Sequence, residues 1–527
     1  MEKNIKKLKI IFSILISIYL LLMLKILSIS ANEKLKEKAN NQQSFKIKLT
    51  DRRANFFDRN LIQLTNKENC DKAMIFMEDL NEKTLNSLGV KIDKNKLEKL
   101  KKEKKPAIFQ ISKKNNNKNI IYYQDKKRYS SLKNTPSHIL GYINKDNVGV
   151  CGLERQLNDF LNKNKAKIEI EFKTNRNGEI LNKNAYNLKS TGNPTDGVVL
   201  TIDNNLQYVL NEYLNENIES GAGLILNSKT GEILAIASVP DFSPDSIAKD
   251  LKNEKKPLIN RALQKSPVGS IFKIVTAAAA LENNLGNYSY RCDGFFKFSD
   301  TKYGCHNKKG HSTMDLKNAM KNSCNPYFIS LGLKLQQNKI IDMANRMGFS
   351  RKIELAPNLF YDKATLPEID CSKGELCNLS FGQGKLQASM LHIAQMLSVI
   401  CNDGVGVAPQ IIKGYIKNNN FSNEFKPVEF FCFKKEIADS LKEILNYSIQ
   451  NTKADSSFTQ VCGKSSTAQT GQFKSNKEIL NTWFCSFSPK EKPEYILVLF
   501  KENGKFGMED LGHLIKKIND FLFLNND

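Results

Sequence analysis

The sequence predicts an α+β protein: an N-terminal transmembrane helix, an elongated polar domain, and a last domain with an antiparallel sheet flanked by helices. Three observations carry this. An apolar run follows a cluster of lysines at the start. A long stretch rich in Lys and Asn comes next, with only short strand-like pieces. From about Gly197 onward, strand and helix patterns occur in groups.

The apolar run settles the first element. Lys3, Lys6, Lys7 and Lys9 precede Ile10–Leu24; Lys25 interrupts the run and Ile26-Leu27-Ser28-Ile29 resumes it. The stretch from Ile10 to Ile29 matches the roughly 20 apolar residues that one helical crossing needs. Lys25 sits near the outer end, where it can snorkel to the headgroups. The basic flank puts residues 1–9 in the cytoplasm, residues 10–29 in the membrane as a single-pass anchor, and the rest outside. The alternative is a cleaved signal peptide, because Ser28-Ile29-Ser30 is a small-x-small site.

Residues 30–195 form the polar domain, with strands expected at Ile108–Ile111 and Ile120–Tyr123. It has no clustered His, Cys or acidic set, so structure is expected there, not chemistry. Residues 196–527 form the last domain. Val198–Ile202 reads as a strand and Asn205–Leu214 as a helix. A hairpin follows at Gly223–Leu226 and Glu232–Ser238, turning at Asn227–Gly231. Thr276–Leu281 continues an Ala-rich helix. Thr482–Phe487 and Tyr495–Phe500 read as paired strands, and Leu511, Leu514, Ile515, Ile518, Phe521 and Leu522 fit one face of a final helix.

Composition narrows the function classes. Forty per cent of the 527 residues are hydrophobic, which excludes wholesale disorder. The charge is +24, from 79 Lys+Arg against 55 Asp+Glu. Nucleic acid is not expected as a partner, because no base-reading or stacking motif accompanies the charge. The excess follows a general taste for Lys, Asn and Ile, as in Lys113–Asn119, with attraction to an anionic envelope as a consequence. The 11 cysteines are odd in number and irregularly spaced, which argues against a complete disulfide scaffold.

Chemistry concentrates in three short motifs. Ser270-Ile271-Phe272-Lys273 opens the Ala-rich helix, so Ser270 and Lys273 share a face. The helix start offers free N–H groups to a developing oxyanion, and a lysine desolvated by Ile271, Phe272 and Ile274 could take the serine proton. A capping serine with a solvated lysine would show the same four residues. Ser323-Cys324-Asn325 comes next, and Lys464-Ser465-Ser466-Thr467 follows after a much longer interval. That order resembles the class B penicillin-binding proteins.

The resemblance runs well beyond the triplets. It takes in Asp58-Arg59-Asn60, His138–Tyr142, Gly149–Glu154, Leu200–Asp203, Thr230–Ala235, Asn260-Arg261, Gly382-Gln383-Gly384 and Asn402-Asp403-Gly404, most of residues 50 to 505. It identifies residues 30–195 as the pedestal and 196–527 as the transpeptidase domain. It implies a D,D-transpeptidase that cross-links peptidoglycan stem peptides and binds β-lactams covalently. Ser270 would be the nucleophile, Lys273 the general base, Ser323 a proton relay, Asn325 a brace for Lys273, and Lys464 a positive charge. Ser465, Ser466 and Thr467 would line the substrate. The implied partners are stem peptides, β-lactams, membrane lipid and a polytopic wall glycosyltransferase. No cofactor is required for the chemistry.

One departure stands out: Ser466 replaces the family's glycine and is expected to narrow the cleft. A weakly active or non-catalytic penicillin-binding scaffold is therefore the alternative from another class. A β-lactamase would share the serine chemistry but would need neither anchor nor pedestal.

Cys292, Cys305, His306, His311 and Cys324 all fall between the first motif and the middle of the second. Cys292, Cys305, His311 and Cys324 make a closed tetrahedral set for a structural zinc, with His306 to spare. Reduced or disulfide-bonded cysteines in a folded loop are the alternative. Cys371 and Cys377 could pair as a loop disulfide.

Overall fold

The structure, a computed structural model, describes residues 2–35, 44–103, 105–129, 135–175, 177, 179–370 and 372–524. Glu2–Ala31 is one continuous 30-residue helix that buries none of its side chains. It contains the expected Ile10–Ile29 run, and its length of about 45 Å exceeds the hydrocarbon thickness of a bilayer.

The chain forms two compact units, crossing between them after residues 52, 68, 126, 164 and 194. This differs from the single boundary expected at 195/196, since residues 53–68 and 127–164 belong with the C-terminal unit. The reason is non-local pairing. Asn55–Phe57 lies parallel to Gly197–Val199, and that strand pairs in turn with Ile412–Lys417. So short a strand, with its partner far along the chain, leaves no local pattern in the sequence.

The smaller unit holds two three-stranded antiparallel sheets. Its strand Asn69–Ile75 shows why. Ala73 and Ile75 enter one apolar cluster, while Met74 and Phe76 enter another. Alternation along one segment thus supplies two cores. The strands expected near 108 and 120 are present at Ala107–Gln110 and Ile120–Lys126.

The larger unit is organised by a five-stranded antiparallel sheet. Its order is Ile233–Val239, Gly221–Asn227, Tyr495–Lys501, Lys477–Ser488 and, at the edge, Cys462–Lys474. Ile225, Phe484, Leu497 and Leu499 face a cluster with Leu210 and Leu214 of the helix Asn204–Asn217 and Leu511, Leu514 and Ile518 of the last helix, Gly507–Phe523. Leu224, Leu226, Cys485, Ile496 and Val498 face the opposite cluster, which holds the helices Lys273–Glu282 and Met390–Cys401. Met390–Cys401 is buried at every position, as its apolar composition all round requires.

A buried ion network ties residues 53–68 to residues 127–164 within this unit. Arg53 and Glu154 both have fully buried side chains. Arg53 donates to Glu154 Oε2 at 3.0 Å, Glu154 O at 3.0 Å, Asn147 O at 2.7 Å and Asn158 Oδ1 at 2.9 Å. Arg128 Nε donates to Glu154 Oε1 at 2.7 Å, and Tyr129 donates to the same oxygen at 3.2 Å. Burial pulls the Arg53 pKa down and Glu154 opposes it. Removing the carboxylate would strand a buried guanidinium, at a cost of roughly 3–5 kcal/mol. Glu154→Ala in detergent-solubilised protein should therefore lower the thermal midpoint by several degrees; a variant that melts with the wild type would contradict this role.

Candidate active site

The segment carrying Ser270 is a single 3₁₀ turn, Gly269–Phe272, that runs directly into the helix Lys273–Glu282. Gly269 has φ +56°, the left-handed region that favours glycine. A Cβ there would lie 2.5 Å from Ser466 Oγ. Every residue from Lys273 to Ala280 is buried, and the small side chains Ala277–Ala280 let neighbouring elements close around the helix. Phe272 packs edge-on against Phe349, with ring centroids 5.6 Å apart.

Lys273 is the centre of the site, with no solvent exposure. Its Nζ donates to Ser323 O at 2.8 Å, Ser323 Oγ at 3.1 Å and Asn325 Oδ1 at 2.7 Å. It also lies 5.4 Å from the Phe328 ring centroid. Burial, reinforced by the charge of Lys464, drives its pKa well below the usual lysine value. The structure thus gathers Lys273, Ser323 and Asn325 as expected. Sequence reading missed Phe328, although its place three residues after Asn325 puts both on one face of the helix Asn325–Leu335.

Ser323 reaches Lys273 through an uncommon backbone conformation, φ +45°. It follows the short helix Leu316–Lys321, which Asp315 caps by accepting from Asn318 N. Ser323 N donates to Met320 O at 3.1 Å and Cys324 N to Ala319 O at 3.0 Å. Pro326 in the first turn then starts the next helix.

Lys464, Ser465, Ser466 and Thr467 lie on the edge strand. Lys464 is 4% exposed, and its Nζ donates to Ser465 O at 3.0 Å. Burial pushes its pKa down to about 8, opposed by Cys485, its direct cross-strand partner. Ser465 and Thr467 are partly exposed, and Thr467 Oγ1 accepts from Gly507 N at 3.2 Å. Ser466 departs from expectation. Strand alternation turns its side chain to the buried side, where Oγ donates to Val268 O at 2.7 Å. It therefore packs on the turn before Ser270 and does not fill the space beside Ser465 and Thr467.

The expected metal-ligand set also comes together. The sulfur and imidazole atoms of Cys292, Cys305, His311 and Cys324 all lie within 4.8 Å of one another. A tetrahedral zinc with bonds of about 2.3 Å to sulfur needs neighbouring sulfurs about 3.8 Å apart, so the donor set fits that ion in chemistry and spacing. Two backbone bonds shape the loop: Cys305 N to Gly294 O and His311 N to Cys292 O, each 2.9 Å. Gly294 and Gly310 have positive φ, and a Cβ on either would meet backbone, at 2.2 and 2.0 Å respectively. Cys305 Sγ lies 3.5 Å from His311 Nδ1 and 3.9 Å from His306 Nδ1. The Cys324 thiol favours thiolate at Cys305 by hydrogen bonding to it. Cys371 lies outside the described residues, and the Cys377 thiol adjoins Tyr303.

The geometry agrees with what the chain is similar to. The model of the penicillin binding protein transpeptidase domain matches residues 221–520. Stage V sporulation protein D of Bacillus subtilis is 27% identical over 415 residues, which are 74% of this chain and 62% of that protein. The peptidoglycan D,D-transpeptidase MrdA of Acinetobacter baumannii is 25% identical over 448 residues, 74% of this chain and 65% of that protein. The chain thus spans just under two thirds of these curated relatives. A chain from a peptidoglycan synthase complex that coordinates polymerization and crosslinking superposes with a TM-score of 0.70 at 20% identity, covering 97% of this chain and 98% of that one. The matched domain is more than half of the 527 residues and contains all three motifs around Lys273, so the chain belongs to the class B penicillin-binding proteins.

Proposed function

We propose that the chain is a membrane-anchored, serine-type D,D-transpeptidase that cross-links peptidoglycan stem peptides and is acylated by β-lactams. The observation that carries this reading is Lys273, fully buried, one turn from Ser270 and bonded to Ser323 and Asn325. A buried lysine of lowered pKa is a base that can work near neutral pH.

Ser270 Oγ attacks the carbonyl between the two terminal D-alanines, and Lys273 takes its proton. Backbone N–H groups of Ser270 and Thr467 receive the oxyanion, the kind of preorganised donor pair that carries much of the rate in acyl transfer. The proton taken by Lys273 returns through Ser323 to the departing amine, the C–N bond breaks, and D-alanine leaves. The amine of a neighbouring stem peptide then attacks the ester, restoring Ser270. A β-lactam follows the first half: its amide opens and the ester remains. Lys464, Ser465 and Thr467 bind the substrate carboxylate. An extended stem peptide can lie along the strand Cys462–Lys474, because an edge strand leaves backbone groups unpaired on its outer side.

Glu2–Ala31 serves as the single anchor, with its lysine-rich end in the cytoplasm and Ser270 outside. A polytopic wall glycosyltransferase is the proposed partner, in keeping with the similarity to a synthase-complex chain. The scaffold alternative gains little from Ser466, whose side chain is bonded to Val268. Cys292, Cys305, His311 and Cys324 would hold a structural zinc, which when bound supplies rigidity and no chemistry to the acyl transfer. Cys324 stands between Ser323 and Asn325, so anchoring its sulfur would hold Ser323 in its left-handed backbone conformation.

A membrane-impermeant fluorescent penicillin added to intact protoplasts should label one site, lost in Ser270→Ala. Labelling that persists in the variant would move the nucleophile elsewhere, and labelling only after permeabilisation would reverse the topology. Lys273→Ala should slow acylation by about 10²–10⁴-fold.

The pH profile of acylation should have an alkaline limb. Lys464 carries its charge below its pKa of about 8, so a rate that needs this charge falls as pH rises through that value. Lys464→Arg, which stays charged, should abolish the limb even if its maximal rate is lower. A limb unchanged in that variant would assign it to another group.

Protein purified without chelator or added metal should carry near one zinc per chain by elemental analysis. Cys324→Ser should lower both zinc content and acylation rate with Ser270 intact. Metal-free protein at full acylation rate, or a Cys292–Cys305 disulfide by mass spectrometry, would remove the zinc assignment.

A further inference from the structure

Ser466 stands where the family's motif has glycine, and its side chain has a partner that the proposed chemistry does not use. We infer that Ser466 is a positioning residue: with its cross-strand neighbour Trp483 it pins the carbonyls of Pro267 and Val268, and so fixes the turn that aims Ser270. The inference rests on Ser270 being the acylated residue.

The turn is held peptide by peptide. Ser266 exchanges backbone hydrogen bonds with Ala388, both 3.0 Å. Trp483 Nε1 donates to Pro267 O at 2.9 Å. Ser466 Oγ donates to Val268 O at 2.7 Å. The Gly269 carbonyl packs so tightly on Gly382 that a Cβ at 382 would lie 1.9 Å from it. Four consecutive residues before the nucleophile are thus each tied to a different position of the surrounding unit.

Two of those ties come from one cross-strand pair. Ser466 and Trp483 are directly opposite in the ladder between Cys462–Lys474 and Lys477–Ser488. They are 3% and 1% exposed, so both donors act away from competing water. Trp483 is itself held by Phe500, with ring centroids 4.5 Å apart. Gly507 lies behind the pair, where a Cβ would meet Ser466 O at 2.4 Å and Trp483 O at 2.9 Å.

The space for the hydroxyl comes from Gly269. A Cβ at 269 would lie 2.5 Å from Ser466 Oγ and 3.1 Å from Ala468 Cβ, so the hydroxyl occupies room that only a glycine on the turn leaves open. A glycine at 466 would leave Val268 O without this donor. A small displacement of Ser270 is costly because attack geometry is demanding, and misplacement of about 1 Å costs about 100-fold.

The test separates the acylation rate constant from non-covalent affinity, using detergent-solubilised full-length protein and a chromogenic cephalosporin in stopped flow. Ser466→Ala and Ser466→Gly should each lower the acylation rate constant by about 5- to 50-fold, with dissociation constant changed by less than about twofold. Trp483→Phe keeps the apolar ring and removes the other donor. It should slow acylation likewise, and the double variant should fall by less than the product of the single losses. Amide exchange should quicken at residues 268–272 in Ser466→Ala and stay unchanged elsewhere in the unit. A Ser466→Ala variant with the wild-type rate would overturn the inference. So would a Ser466→Gly variant faster than wild type, or exchange that quickens evenly across the unit. Failure of the enzyme reading looks different: wild-type protein would take no acyl group at all, and the inference would fall with it.

Discussion

A lysine without solvent exposure is the constraint on which the elements around it depend, because its nitrogen must find partners and any charge on it is costly. Removing that charge from water costs several kcal/mol unless other groups replace the lost hydration. Lys273 has three replacements, the two oxygens of Ser323 and the amide oxygen of Asn325, with the Phe328 ring beside them. Supplying them dictates much of the local architecture. Ser323 turns into a left-handed conformation so that both its oxygens reach one nitrogen. Asn325 sits at the start of a buried helix that fixes its side chain. The helix bearing Lys273 is built of small residues so that these elements can close over it.

The same constraint explains what could be read from the sequence. Ser270, Lys273, Ser323, Asn325 and Lys464 could be singled out because they stand in three short motifs in a set order, and Lys273, Ser323 and Asn325 converge. The paired strands near 485 and 497 and the last helix were legible because their apolar periods are regular and local. Three features were not. The parallel pairing of Asn55–Phe57 with Gly197–Val199 joins distant segments, and three residues are too few to show a period. The Arg53–Glu154 pair has polar residues in a core, which in sequence look like surface. The direction of the Ser466 side chain depended on strand register. A shift of one residue would have turned Ser466 outward and Ser465 and Thr467 inward.

The metal-ligand set shows the opposite case, in which spacing looks irregular and geometry is compact. The intervals along the chain from Cys292 to Cys305, His311 and Cys324 fit no short finger. The structure makes them local through two small hairpins, Tyr290–Cys292 with Ser312–Met314 and Phe295–Phe298 with Thr301–Gly304. The register places Cys292 opposite Ser312, the residue next to His311. The turns need Gly294 and Gly310, whose positions between cysteines were visible but carried no meaning without the pairing. The loop also packs Tyr290, Phe296, Phe298 and Tyr303 against the main core, and the four converging side chains add a second point of closure.

Two buried lysines in one site also decide which of them can be the base. Burial disfavours charge on both, and the charge of Lys464 adds to that cost at Lys273. Lys464 ends near 8, with Ser465 O as its acceptor, and so keeps its proton at neutral pH. That retained charge contributes to the lowering at Lys273. The three acceptors around Lys273 pull the other way, since an ammonium can satisfy all of them and a neutral amine only two. On the proposed reading, loss of the third proton, and of the bond it makes, is what frees a lone pair for the Ser270 proton. A substrate carboxylate bound beside Lys464 would offset its charge and weaken its push on Lys273. The proton affinity of Lys273 would then rise as the peptide arrives, the moment at which Ser270 must give up its proton. On that reading, charge would link substrate binding to activation of the nucleophile.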